Sequence, residues 1–184
     1  MSPQDLPPDR IKVWDGFVRL NHWLTLTLVL INWLILDEGD IHEWLGYVVA
    51  ALLGLRLIWG FVGSETARFR SFWPSRTKIR THLKARGKRA RTRGHNPVGA
   101  LMIFNLFLAL LAVSVTGHLM TTDRFWGTQI AEDLHVLSIN YLLVSALIHV
   151  VGVVFESLRS RSNLIGAMIT GWKRVDMQDR RETP

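Results

Sequence analysis

The sequence has 184 residues, of which 48% are hydrophobic, and its mean hydropathy is +0.17. It contains no cysteine, which excludes disulfides, iron–sulfur clusters held by thiolates and covalent haem attachment through a C-x-x-C-H motif. The formal net charge of +7 does not indicate nucleic-acid binding, because the basic run KARGKRARTR lacks interleaved aromatic residues.

Apolar residues are gathered into long segments that predict membrane-spanning helices. Residues 20–36, 97–122 and 134–155 contain no Asp, Glu, Lys or Arg, and the last two exceed the roughly 20 residues that a helix needs to cross a bilayer. In residues 44–63 the single charge is Arg56. The sequence therefore predicts an all-α membrane protein, a bundle of four transmembrane helices over about residues 15–36, 42–62, 97–120 and 133–157.

The links between these helices differ in charge. Residues 64–96 form a basic loop in which Glu65 is the one acid, whereas the link DEGD at 37–40 is acidic. A short interfacial helix is predicted over 163–174, near further Lys and Arg. Because basic loops stay in the cytoplasm, we expect one multi-pass membrane domain, with both termini on the cytoplasmic side of a bacterial inner membrane.

Four histidines fall in or at the ends of these spans at two depths. His135 and His149 are fourteen residues apart, so one helix separates them by about 21 Å and turns both rings to one side, within about 40°. His42 lies level with His135, and His22 lies at the depth of His149. Two imidazoles facing each other across a bundle are what a six-coordinate haem iron needs. The pattern predicts two haem sites, His42 with His135 outside and His22 with His149 inside.

Small and basic residues accompany these histidines. Gly46 and Gly152 each follow a ligand position by about one helical turn and would let a flat macrocycle approach the backbone, although ordinary helix packing also explains them. Arg19 and Arg56 lie near the depth of the inner pair, where haem carboxylates would give each a partner; snorkelling is the alternative for Arg56. His118 has no partner at its depth and is left out of the ligand set.

Five segments of the sequence form a recognisable combination of motifs: VWDGFVRLNHWL at 13–24, IHEWLGY at 41–47, RLIWGFVGSETARF at 56–69, GHNPVGALM at 94–102 and NLIGAMITGWK at 163–173. Together they resemble the bacterial cytochrome b561 family, and within it the branch of b-type cytochrome subunits of nickel–iron hydrogenases. The resemblance covers about residues 11–174 and implies a four-helix core with two haems b, for which His22, His42, His135 and His149 match the ligand positions.

The resemblance implies an electron-transfer subunit more than a stand-alone oxidoreductase. Electrons would pass between a periplasmic redox protein and ubiquinone or menaquinone. The first outer link, DEGD, is very short here, so a c-type cytochrome is as compatible a redox partner as an oxidoreductase subunit. A homodimer is a separate open alternative. For the quinone, His95 and Asn96 are the candidates at the start of helix 3; the alternative for Asn96 is a helix cap.

Three alternatives stay open on the sequence. A superoxide:quinone oxidoreductase of the same fold should attract an anion, but the outer links are mostly acidic. A transporter or proton channel could relay protons through the histidines without haem, although no intramembrane Asp or Glu accompanies them. A zinc site would need ligands clustered at one depth, which this spacing does not provide.

Overall fold

The computed structural model describes residues 10–36, 38–73, 97–160 and 162–174. Within them the chain is mostly helical, with one small two-stranded sheet. In chain order the elements are β1 (Arg10–Lys12), α1 (Gly16–Leu34), α2 (Asp40–Val62), α3 (Phe69–Phe72), α4 (Pro97–Met120), α5 (Gln129–Ser160), α6 (Leu164–Thr170) and β2 (Trp172–Arg174).

Three of the four long helices have the length and composition of membrane spans, namely α2, α4 and α5. The fourth, α1, has 19 residues and is outside that set, since Arg19, Asn21 and His22 lower its hydropathy. Apolar side chains on the outer faces, such as Leu108 and Leu147, are exposed, as expected of surfaces that face lipid. The described helices therefore support a membrane protein, and three of them are long and apolar enough to span a membrane.

The observed helix bounds differ from the predicted ones mainly in α5. That helix begins at Gln129, about one turn before the predicted start, and continues to Ser160.

The helix bundle has a basic end and an acidic end, named after the charge of the adjoining links. The basic end holds the start of α1, the end of α2, the start of α4 and the end of α5, whereas the acidic end holds the opposite termini.

The helices pack in an open chain of neighbours. α1 packs on α2, α2 on α4, and α4 on α5, which is the most extensive of these contacts. Across the described part of the chain, α5 has no comparably close packing with α1 or α2. Helix α5 is thus linked to α1 and α2 mainly through α4.

Polar side chains link neighbouring helices inside the bundle. The Asn21 Nδ2 donates to the carbonyl oxygen of Leu52, 2.8 Å away, and joins α1 to α2. Asn105 joins α4 to α5, since its Nδ2 donates to the Ser145 hydroxyl at 3.0 Å and its Oδ1 accepts from the Tyr141 hydroxyl. Such bonds hold helices together in lipid, where the hydrophobic effect between them is weak.

At the basic end, Asp15 connects the start of α1 to the end of α2. Its Oδ1 accepts from the Val18 N–H at 2.8 Å and caps α1. Its Oδ2 accepts from the Trp59 indole at 3.0 Å and from the Ser64 hydroxyl. Burial raises the pKa of Asp15, but these bonds and the positive charge of Arg56 lower it more, so the net pKa lies below the ordinary value of 3.8.

The first part of the predicted basic loop is packed against the bundle. Phe69 in α3 is buried, together with Ala100 of α4, and its ring lies where a Cβ on Gly60 would stand. Residues 74–96, which include the whole basic run KARGKRARTR, lie outside the described residues. The described start of the predicted loop thus contains the short helix α3, whose Phe69 packs against α2 and α4.

The predicted interfacial helix over 163–174 is shorter in the structure. Its helix α6 ends at Thr170, because Gly171 adopts a left-handed backbone conformation with φ 87°. The chain then continues as β2, which pairs antiparallel with β1 in the register Ile11 with Lys173. This sheet ties the N-terminal segment to the C-terminal one, and the sequence does not predict it.

Candidate functional site

The rings of His42 and His135 face each other at the acidic end of the bundle. Their centroids are 6.2 Å apart and their planes are inclined at 80°. A metal–imidazole bond is about 2 Å long and a ring centre lies about 1 Å behind its bonding nitrogen, so an ion held in line between two imidazoles separates their centres by about 6 Å. The spacing of this pair fits an iron with two histidine ligands.

Hydrogen bonds orient both of these rings through their Nδ1 atoms. The His42 Nδ1 lies 2.6 Å from the carbonyl oxygen of Leu36, and the His135 Nδ1 lies 3.0 Å from the Thr116 hydroxyl. A carbonyl only accepts, so the His42 proton is on Nδ1 and its Nε2 keeps a free lone pair. Metal-binding histidines are commonly oriented in this way through their second nitrogen.

His22 and His149 form the second pair, nearer the basic end. They lie on α1 and α5, and both side chains are partly buried. The His22 ring also contacts the Trp23 ring edge-on at 5.4 Å between centroids. The structure therefore brings the rings of His42 and His135 together, whereas the pairing of His22 with His149 stays a prediction.

The predicted small residues beside the histidines leave room in the structure. An added Cβ on Gly46 or Gly152 would meet no atom within 4 Å. Gly117, which the sequence motifs do not single out, behaves differently, since its added Cβ would stand 3.2 Å from the His135 Cε1. The first two positions border open space that a flat cofactor could fill, and the third supports a ligand ring.

The buried Arg56 and the half-buried Arg19 each have a guanidinium nitrogen without a hydrogen-bond partner among the described residues. Arg56 is only 7% exposed; its guanidinium lies 5.6 Å from the ring centroids of Phe69 and Phe107, and its Nη1 lacks a hydrogen bond. The Arg19 Nη1 donates to the Thr170 carbonyl at 3.2 Å, while its Nε is buried and unpaired. Unpaired cationic donors of this kind fit the carboxylates of haem propionates.

The remaining predicted residues divide into two groups. His118 is hydrogen-bonded through its Nδ1 to the Tyr47 hydroxyl at 3.1 Å, and that hydroxyl also lies 3.2 Å from the Thr121 hydroxyl. His118 therefore links α4 to α2 and does not join either pair. The quinone candidates His95 and Asn96 lie outside the described residues.

The site is not a cluster of the kind that binds zinc. Across the residues that the structure describes, no three His, Cys, Asp or Glu side chains are grouped for a metal ion. A histidine pair leaves four equatorial positions of a six-coordinate iron to another group, which a porphyrin supplies. The donor set therefore fits haem better than a bare metal ion.

Thr116, Gly117 and the Leu36 carbonyl are missed by sequence reasoning. Each contacts a histidine that lies on a neighbouring helix, so the contact cannot be recognised from adjacent residues in the sequence. A threonine or glycine in an apolar segment is also too common to indicate a contact with a ligand histidine. The family motifs do not point to them either.

Comparison with known proteins gives a consistent result. The family model described as prokaryotic cytochrome b561 matches residues 13–171. A probable Ni/Fe-hydrogenase B-type cytochrome subunit of Azotobacter vinelandii is 28% identical over 211 aligned positions, covering 89% of this chain and 88% of that protein. The protein with the same description from Rhizobium leguminosarum bv. viciae is 26% identical, covering 88% and 87%. No solved structure matches the chain significantly.

Proposed function

The chain belongs to the prokaryotic cytochrome b561 family, as its motifs predict, and from that premise we propose that it carries electrons across the membrane through two haems b. Membership makes it a b-type membrane cytochrome; the number of haems and the route of the electrons are the proposal. The observation that carries it is the 6.2 Å separation of the His42 and His135 rings; His22 and His149 lie partly buried nearer the basic end, on α1 and α5.

The protein's own residues would hold each haem in a fixed position. Two histidines would hold each haem, and an iron held by two histidines would favour electron transfer over the binding of oxygen. Bound haem supplies a reversible one-electron centre. Gly46 and Gly152 leave room for its plane, while Arg19 and Arg56 would pair with its carboxylates in an environment where an unpaired charge is costly.

The proposed membrane arrangement uses α1 as a fourth span. Helix α1 is less apolar than α2, α4 and α5 partly because it contains Arg19 and His22. In the proposed arrangement these two side chains would face the haem and not lipid. The basic end would lie on the cytoplasmic side of the bacterial inner membrane, with both termini there, because basic loops stay in the cytoplasm. The haem pairs would then lie near opposite faces of the bilayer.

Different partners are proposed for the two ends. At the acidic end, exposed acids favour a periplasmic redox protein with a basic face, such as a c-type cytochrome or an oxidoreductase subunit. These acids are Glu38, Asp40, Glu43, Asp123, Glu132 and Asp133. At the basic end, ubiquinone or menaquinone would exchange electrons with the inner haem, with His95 and Asn96 as the candidate hydrogen-bonding residues.

The names of the relatives support a hydrogenase as one candidate partner. However, their alignment of 211 positions exceeds the 184 residues of this chain, so the relatives carry segments that it lacks. The surface of this chain that binds a redox partner therefore need not match the corresponding surface of the relatives. We therefore propose a redox partner of basic surface charge without assigning it to hydrogenase.

Electron transfer through proteoliposomes tests this function. Ferricyanide is trapped inside the vesicles and dithionite is added outside, so that dithionite is oxidised while ferricyanide gains its electrons through the protein. We expect ferricyanide absorbance to fall with the wild type and with the control His118→Gln, but not with His22→Ala or His135→Ala. Equal rates in all four proteins, or no reduction with the wild type, would contradict the proposal.

A further inference from the structure

Thr116 lies between the His135 ring and the backbone of its own helix, α4. Its hydroxyl oxygen is 3.0 Å from the His135 Nδ1, 2.8 Å from the Ala112 carbonyl oxygen and 3.2 Å from that of Val113. The hydroxyl has one proton, and both carbonyls can only accept. The shorter distance, to the Ala112 carbonyl, favours donation to the backbone, and in that arrangement the threonine oxygen accepts the His135 Nδ1–H.

We propose that Thr116 is a positioning residue that fixes the tautomer of His135 and lowers the reduction potential of the haem at the acidic end. This inference rests on the proposed function, in which His135 is an axial ligand. With the proton held on Nδ1, the Nε2 lone pair is the one available to iron. A hydrogen bond from Nδ1–H also makes the imidazole a stronger electron donor, which stabilises the oxidised iron.

The surroundings of His135 restrict its ring as well. The added Cβ of Gly117 would stand 3.2 Å from the His135 Cε1, so the ring lies against the bare backbone of α4 beside the threonine. The facing ligand, His42, has its own Nδ1 contact with the Leu36 carbonyl. The Nδ1 atom of each ring in this pair thus lies beside a neutral oxygen, the Leu36 carbonyl for His42 and the Thr116 hydroxyl for His135.

The other pair lacks comparable support in the described part of the chain. No hydrogen bond involves a ring nitrogen of His22 or His149 there, and Trp23 contacts the former only through its ring. The two haems would therefore differ in potential, with Thr116 contributing to the lower value at the acidic end.

Redox titration of the haem-loaded protein, followed by optical and electron paramagnetic resonance spectra, tests this role. Thr116→Val removes the acceptor at nearly constant shape, and Thr116→Ser retains it. Thr122→Val is the matched control, because the Thr122 hydroxyl also donates to a backbone carbonyl, that of Leu119, but contacts no histidine.

We expect Thr116→Val to raise one of two midpoint potentials and to change the resonance signal of that haem alone, while the serine variant and the control match the wild type. Loss of one haem in the valine variant, with retention in the serine variant, would also support the role. Unchanged potentials in the valine variant, or equal effects of valine and serine, would overturn it. A wild-type protein without haem would instead contradict the proposed function, so the two failures are distinguishable.

Discussion

His42 and His135 stand on different helices with their rings 6.2 Å apart and nearly perpendicular, and each ring is anchored through its Nδ1. In the described part of the chain, α5 packs mainly on α4 and not closely on α1 or α2. The relationship is explained if the two rings are the axial ligands of one iron.

The histidine pairs predict separable haem losses. His135→Ala should abolish the haem at the acidic end and leave the other in place, since His22 and His149 lie at a different level. His149→Ala should do the reverse. Haem content and two-step redox titration measure both effects. Simultaneous loss of both haems in each variant, with the protein still folded, would count against the pairing.

Gly46→Ala and Gly152→Ala should lower haem retention without unfolding the protein. An added Cβ at either position meets no protein atom within 4 Å, so only a bound group can be displaced. Gly16→Ala, which also meets nothing within 4 Å but lies at the start of α1, is the control. Haem-to-protein ratios together with thermal unfolding measure the outcome. Full haem content in both variants would show that the macrocycle does not lie beside these glycines.

Tyr47→Phe should destabilise the bundle by about 1 kcal/mol and leave the haem content unchanged, because it removes one neutral hydrogen-bonding group that joins α2 to α4. His118→Gln should likewise keep both haems. Unfolding in detergent by denaturant and haem spectra provide the two readouts. Loss of a haem in the His118 variant would instead place that residue among the ligands.

Asp15→Ala should lower stability at pH 7 by roughly 1–2 kcal/mol, through loss of the cap on α1 and of the bond to Trp59. The folded pKa of Asp15 lies below its ordinary value of 3.8, so its charge stabilises the fold above that pH and the contribution is lost as the pH falls through the lower folded value. The difference between wild type and variant should therefore shrink in acid.

Thermal unfolding across pH measures this effect, with the exposed Glu65→Ala at the same end of the bundle as the control. If the stability difference between the Asp15 variant and wild type stayed constant down to strongly acidic pH, the Asp15 carboxylate would not be the source of that stability.

The long helices can be predicted from the sequence because their signal is local and strong. The apolar pattern predicts a helix over residues 97–120, and the structure has one there, since an uninterrupted apolar segment has few alternatives in lipid. The pairing of His135 with His42 also follows from depth, because helical rise fixes how far apart residues lie along a bundle. The ligand role of these histidines stays a prediction.

Other features depend on contacts between distant parts of the chain. The strands Arg10–Lys12 and Trp172–Arg174 are three residues each, too short for any periodicity, and they exist because each pairs with the other. Thr116 contacts His135 only after α4 packs on α5. The sequence predicts α1 as a membrane span like the other three long helices. Its composition does not identify it as a span in the structure, because α1 carries polar residues such as the buried Asn21.

The haem content of the purified protein, after expression with ample haem, is the decisive quantity for the proposed function. The reduced spectrum should be that of a b-type cytochrome, and the pyridine haemochrome assay should give two haems b per chain, with both lost only when a member of each histidine pair is replaced. A colourless protein, or one haem per chain with both pairs intact, would contradict the assignment of two haems to these histidines.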